Sequence, residues 1–266
     1  MPYSSILETI GRTPLVELKR FQPREGVRIF AKLEGQNPTG SVKDRIARVM
    51  LETAEAEGRL SHDKVILEPS SGNTGVSLAM IAHYMGYRVK IVLPDNVTSE
   101  RRTLIESFGA SVEFSDGQKG TNGAIEVAQQ MVADDPDEYV MLYQYGNEAN
   151  PRAHYEGTGQ EIVDELPEVT VFIAGLGTGG TLMGVGRRLK EHNSEVRVIA
   201  VVPHPEERIQ GLRSLDEGFI PPILDPTLLD GQFIVTSSES FELTRELLER
   251  ESIFAGISSG AVLACA

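Results

Sequence analysis

The sequence predicts an α/β protein of two domains, each a parallel twisted sheet flanked by helices. Three observations lead there. Short β-branched runs alternate with helical stretches along the chain, the pattern of parallel sheets with helical crossovers. Several of the runs are almost wholly apolar, as strands buried on both faces must be. The length of 266 residues exceeds one domain of about 150 and suits two.

In chain order, strands are expected at 27–33, 64–67, 88–93, 111–114, 139–142, 169–174, 196–202 and 233–235. Helices are expected at 43–57, 74–85, 99–108, 121–133, 149–165, 181–192 and 240–250. In each helix apolar residues recur at three and four. Gly58, Gly86 and Gly109 follow three of these helices, where a left-handed residue closes the last turn. No internal repeat or low-complexity linker interrupts the pattern. A weak break at Gly146-Asn147-Glu148-Ala149-Asn150-Pro151 separates the two domains.

Composition narrows the function. A net charge of −14 repels phosphodiester backbones and argues against nucleic-acid partners. A single cysteine, Cys265, excludes an internal disulfide or a thiolate metal site. The five histidines show no ligand spacing, so no metal is expected. No apolar run reaches the length of a membrane span, and the N-terminus has no signal-peptide pattern. A cytoplasmic protein is expected.

Four loops at strand–helix junctions carry the chemistry, where open α/β sheets bind ligands. The first, 37–45, places Lys43 in the first turn of a helix, where the dipole disfavours a cation. Such a lysine is either an anion ligand or nucleophile, or a solvated charge offset by Asp44. The second, Glu68-Pro69-Ser70-Ser71-Gly72-Asn73-Thr74-Gly75, offers small polar residues and backbone N–H groups at a helix start. It is a carboxylate or phosphate nest, or an ordinary cap.

The third loop, Gly175-Leu176-Gly177-Thr178-Gly179-Gly180-Thr181, contains G-x-G-x-x-G. A dinucleotide site also needs an acid after the next strand, and 200–204 has none. Four glycines and two threonines instead suit a compact phosphate on a helix N-terminus. The fourth, Gly256-Ile257-Ser258-Ser259-Gly260, matches a nucleophile elbow. No Asp or His follows it in this chain, so the hydrolase order fails. Ser258 could face a ring nitrogen, or cap the helix. Gln144 could donate to a carboxylate or satisfy loop backbone. Arg213 is a surface charge or an anion contact.

Taken together, these features resemble the fold-type II pyridoxal-phosphate enzymes, and most closely the cysteine synthases. The match begins at Ile10-Gly11-Arg12-Thr13-Pro14 and runs through 37–45, 70–75, 143–147, 177–181 and Gly211 to 256–261. The resemblance implies pyridoxal 5′-phosphate in an interdomain cleft, with Lys43 as the Schiff-base lysine. Asn73 would meet the 3-hydroxyl, and Gly177, Thr178, Gly179, Gly180 and Thr181 the phosphate. Ser258 would face the pyridine nitrogen. Ser70, Ser71, Gly72, Thr74 and Gln144 would receive the substrate carboxylate. Members commonly have Thr where this chain has Ser70, and often Glu where it has Val202.

The implied activity is cysteine formation by β-replacement through an α-aminoacrylate. An activated serine reacts with a sulfur donor, which could be sulfide, thiosulfate or a protein thiocarboxylate. The stretch 211–221 resembles the cysteine synthase B branch and its O-phosphoserine-using members. Arg213 there is expected to bind the phosphate of O-phosphoserine, favoured over O-acetylserine. Cystathionine β-synthase and serine or threonine dehydratase are the rivals within the resemblance. A catalytically silent ligand-binding protein is the rival outside it. The family pattern also implies a homodimer, a smaller mobile domain at 36–147, and a larger one combining 1–35 with 148–266. It further implies a chain that continues past Ala266, since the last motif opens a helix.

Overall fold

A computed structural model describes residues 2–70, 72–215 and 218–266. Their contacts divide the chain into two bodies. The first is Met1–Gly11 with Gln36–Asn150, and the second is Arg12–Gly35 with Pro151–Ala266. Residues 1–11 were expected with the second body. They lie in the first because Arg48 Nη1 donates to the Leu7 carbonyl and Gly11 N–H donates to Asn37 Oδ1.

The first body is built on a parallel sheet of β3 (Val65–Pro69), β4 (Arg88–Pro94), β5 (Ser111–Ser115) and β6 (Tyr139–Met141), in the order β5-β4-β3-β6. β3 is buried along its whole length, Glu68 included, as a central strand covered on both faces must be. Helices α1 (Lys43–Ala56), α2 (Asn73–Met85), α3 (Ser99–Ser107) and α4 (Gly120–Asp134) surround it. Ala124 and Ala128 of α4 pack on Leu67 and Val92. α1 turns Ile46, Ala47, Met50, Leu51 and Ala54 inward, the three-and-four spacing read from the sequence. Gly86 closes α2 in the left-handed conformation.

The second body holds a parallel sheet ordered β7 (Val171–Gly175), β8 (Arg197–Pro203), β9 (Gly231–Val235). Side chains alternate across β8. Val198, Ala200 and Val202 share a core with Leu182 and Met183 of α7 (Gly180–His192). Val201 instead packs with Ala261 of α9 (Ile257–Cys265). Period two thus gives each helix its own face of the sheet.

Three elements differ from expectation. β2 (Phe30–Lys32) falls inside the strand expected at 27–33, but it pairs antiparallel with an unexpected β1 (Leu15–Glu17) ahead of the parallel sheets. Three residues are too few for periodicity to register. The helix expected at 149–165 is α5 (Ala149–Ala153), then a π-helical turn (His154–Gly159), then α6 (Gln160–Glu165). Finally, α8 (Ser237–Glu251) starts a turn earlier than expected. Thr236 Oγ1 accepts from Glu239 N–H, and the Glu239 carboxylate accepts from Thr236 N–H. That capping box fixes the start of the helix.

Candidate active site

The first body gathers Ser70, Gly72, Asn73, Thr74 and Gln144 through its strand order, and it also carries Lys43. β3 and β6 are parallel neighbours. The loops leaving their carboxyl ends, 70–73 and 142–147, are therefore adjacent although more than 70 residues apart. Thr74 Oγ1 donates to Gln144 Oε1 at 2.8 Å, with both side chains buried. That bond takes the amide oxygen and leaves Nε2 as the outward donor.

Ser70 Oγ accepts from the N–H groups of Gly72 and Gly75, each at 3.2 Å. Its hydroxyl therefore shapes the loop and satisfies first-turn amides of α2. Gly75 packs closely on β4 and α3: a β-carbon there would stand 3.0 Å from Ile91 Cγ2 and 3.2 Å from Ile105 Cδ1. Asn73 is exposed, and its amide has no partner among the described residues. Ser71, expected in the same nest, lies outside the described residues.

Lys43 is the first residue of α1. Its backbone N–H donates to Ser41 Oγ at 3.1 Å. Asp44 does not offset its charge. The buried Asp44 carboxylate accepts from Thr39 N–H at 2.8 Å and from the Thr39 hydroxyl, folding the loop onto the helix. The Lys43 ammonium makes no hydrogen bond or ion pair among the described residues, and burial pushes its pKa down to about 8. The side chain keeps a partial opening to solvent. Such a lysine is a nucleophile or proton carrier near neutral pH.

The second body carries the glycine loop, Arg213 and Ser258. The loop leaves β7, and α7 begins at Gly180 behind Gly179 at φ +90°. First-turn N–H groups of a helix have no intrahelical acceptor and attract anions. A β-carbon on Gly177 would stand 2.8 Å from the Gly211 carbonyl oxygen, so only glycine fits. Thr178 is buried, and its Oγ1 accepts from Gly180 N–H at 3.3 Å. Thr181 Oγ1 lies 3.2 Å from His154 Nε2, whose Nδ1 lies 3.0 Å from Thr158 Oγ1. The π-helical turn thus places a buried histidine behind a loop threonine.

Ser258 sits in the first turn of α9 beside Gly211, whose φ is +91°. Its hydroxyl makes no hydrogen bond among the described residues. Arg213 is buried, its N–H donating to the Leu176 carbonyl at 2.7 Å. Its guanidinium stacks on Phe219, 4.8 Å from the ring centre. Cys265 packs against the apolar cluster around Val201. Burial raises its pKa, so it is no thiolate nucleophile. Among the described residues no helix is long and apolar enough to cross a membrane, and no side-chain group could hold a metal.

Comparison with known proteins decides the family. Residues 6–266 match the family described as pyridoxal-phosphate dependent enzyme. The chain belongs to that family. Its members include cysteine synthases similar to this chain. One, from Aquifex aeolicus, is 43% identical over 264 residues, 97% of this chain and 81% of the relative. Cysteine synthase B of Escherichia coli is 39% identical over 262 residues, 98% of this chain and 86% of the relative. The crystal structure of O-acetyl serine sulfhydrylase isoform 3 from Entamoeba histolytica superposes with a TM-score of 0.93 at 35% identity. It covers 100% of this chain and 82% of that one.

The residues of this pyridoxal-phosphate-dependent enzyme fit the cofactor. Lys43 is unpaired among the described residues and poised near pH 8, as a Schiff-base lysine must be. Around Gly177 the loop has no room for a side chain, and it ends on a helix N-terminus. Ser258 presents an unpartnered neutral hydroxyl rather than a carboxylate. The dinucleotide and hydrolase readings of the glycine motifs fall away.

Proposed function

We propose that this chain is a cysteine synthase that exchanges the β-oxygen substituent of an activated serine for sulfur. The observation that carries the reading is Lys43, whose ammonium is pushed down to about 8 with no partner among the described residues. When bound, pyridoxal phosphate withdraws electrons from the substrate Cα and stabilises the charge left as its proton departs.

The chain's own residues do the rest. Lys43 Nζ, partly neutral near physiological pH, takes the Cα proton as general base. Gln144 Nε2 and the N–H groups around Gly72 hold the substrate carboxylate, with Thr74 fixing the Gln144 amide. Asn73 holds the cofactor's 3-hydroxyl. Gly177 to Thr181 hold its phosphate, and His154 sets the direction of the Thr181 hydroxyl. Ser258 Oγ meets the ring nitrogen as a neutral partner, which favours departure of the β-substituent over a long-lived carbanion.

Arg213 points to an anionic leaving group, O-phosphoserine before O-acetylserine. Its backbone bond to Leu176 and its stacking on Phe219 fix the guanidinium in place at low ordering cost. Turnover of the two serine esters with sulfide tests this. Arg213→Ala is expected to lose about tenfold to a hundredfold with O-phosphoserine and much less with O-acetylserine. Equal loss with both removes the phosphate role. Absence both of cysteine formation from either ester with sulfide and of S-sulfocysteine formation with thiosulfate removes the cysteine synthase reading.

The reading extends to a homodimer, a cytoplasmic location, and residues 36–147 as the smaller, substrate-loop domain. Light scattering of the holoenzyme tests the first of these.

A further inference from the structure

The carboxylate nest is not self-supporting. Gln144 follows Tyr143, which holds a left-handed backbone at φ +55° without being glycine. Such a conformation persists only where neighbours hold it. Asn150 Nδ2 donates to the Gln144 carbonyl at 2.8 Å, but the two N–H groups of the turn are held by Glu68. Its side chain is wholly buried in β3, where an acid has no place in a core strand without a task. One carboxylate oxygen accepts from Tyr143 N–H at 2.7 Å, the other from Gln144 N–H at 3.0 Å. We infer that Glu68 is a positioning residue, whose carboxylate clamps the 143–144 turn and so holds Gln144 toward Thr74 for the substrate carboxylate. The inference rests on the reading of Gln144 as a substrate ligand.

A clamp of this kind works only while both oxygens are acceptors. Protonation turns one of them into a donor facing an N–H, and one bond is lost. Burial raises the Glu68 pKa to about 7, against the lowering effect of the Gln144 and Tyr143 amides. No charged or titratable side chain from β4, β6, α2 or the 142–147 loop contributes to that shift. The clamp should therefore tighten as pH rises through neutrality and loosen below it.

Two experiments decide. In the wild-type holoenzyme, hydrogen exchange of the 143–144 amides, corrected for intrinsic rates, is compared at about pH 6 and about pH 8. Greater protection at the higher pH supports the clamp; equal protection overturns it. Second, Glu68→Gln keeps the volume but puts a donor against one amide. KM for the amino-acid substrate is expected to rise about tenfold with kcat little changed. The change in wild-type KM across neutral pH should flatten in the variant.

An unchanged KM, or a fall in kcat alone, overturns the inference. Gln144→Ala is measured beside it. If that variant raises KM while Glu68→Gln does not, only the clamp fails. If Gln144→Ala leaves KM unchanged, the site reading fails and takes the substrate part of the clamp with it. The exchange experiment still decides whether Glu68 holds the turn.

Discussion

Lys43→Ala is expected to remove β-replacement activity by about 10³-fold or more while leaving the protein folded. The two halves of that expectation have separate causes. On the proposed roles, activity goes because the general base and the amine that would link to the cofactor are removed together. The fold stays because the Lys43 ammonium makes no hydrogen bond or ion pair among the described residues. Its depressed pKa reports a charge that burial penalises rather than supports. Steady-state kinetics should therefore collapse while the melting temperature holds or rises. Borohydride should fix the chromophore to the wild type and not to the variant. A variant that still made cysteine at the normal rate would sink the assignment.

Gly184→Ala is expected to give a large loss of stability. Gly184 lies in α7 where the helix crosses the start of the π-helical turn. A β-carbon there would stand 2.2 Å from the Pro151 carbonyl oxygen and 2.6 Å from His154 Cβ. Backbone fills the space, so no rotamer change relieves the contact. Overpacking of this severity costs about 3 kcal/mol. For a body of this size that lowers the melting temperature by about 5–10 °C. The same displacement would part His154 from Thr181, so cofactor release should quicken in proportion. Calorimetry and cofactor-loss kinetics check both. A variant as stable as the wild type would refute the close approach.

The sequence exposed those parts of the site whose signals are local. Lys43 stood out because a cation opens a helix. The phosphate loop stood out because four glycines exceed the needs of a turn. The partners behind them were not legible. Glu68 is an acid in an apolar run, and only the arrival of 143–144, 75 residues on, explains it. His154 looked like any helical histidine until the π turn aimed it at Thr181. The sequence alone left Asp44 open as a counter-charge for Lys43, and the structure commits it to Thr39 instead. Strand positions followed from periodicity to within a few residues. The break in the 149–165 helix did not, because the close approach of Gly184 that shapes it comes from another segment.

The position of β6 has a consequence for the order in which the molecule becomes competent. β6 is a three-residue strand at the margin of its sheet, hydrogen-bonded in the ladder to β3 alone among the described residues. The Thr74–Gln144 bond spans 70 residues of chain, so it closes late, after β4, α3, β5, α4 and β6 between its ends have been ordered. A margin with so few ladder bonds also opens first when the native protein fluctuates. Competence to grip a substrate carboxylate is then gained last during folding and lost first under mild denaturant. It should disappear before the buried β3–β4 ladder gives way.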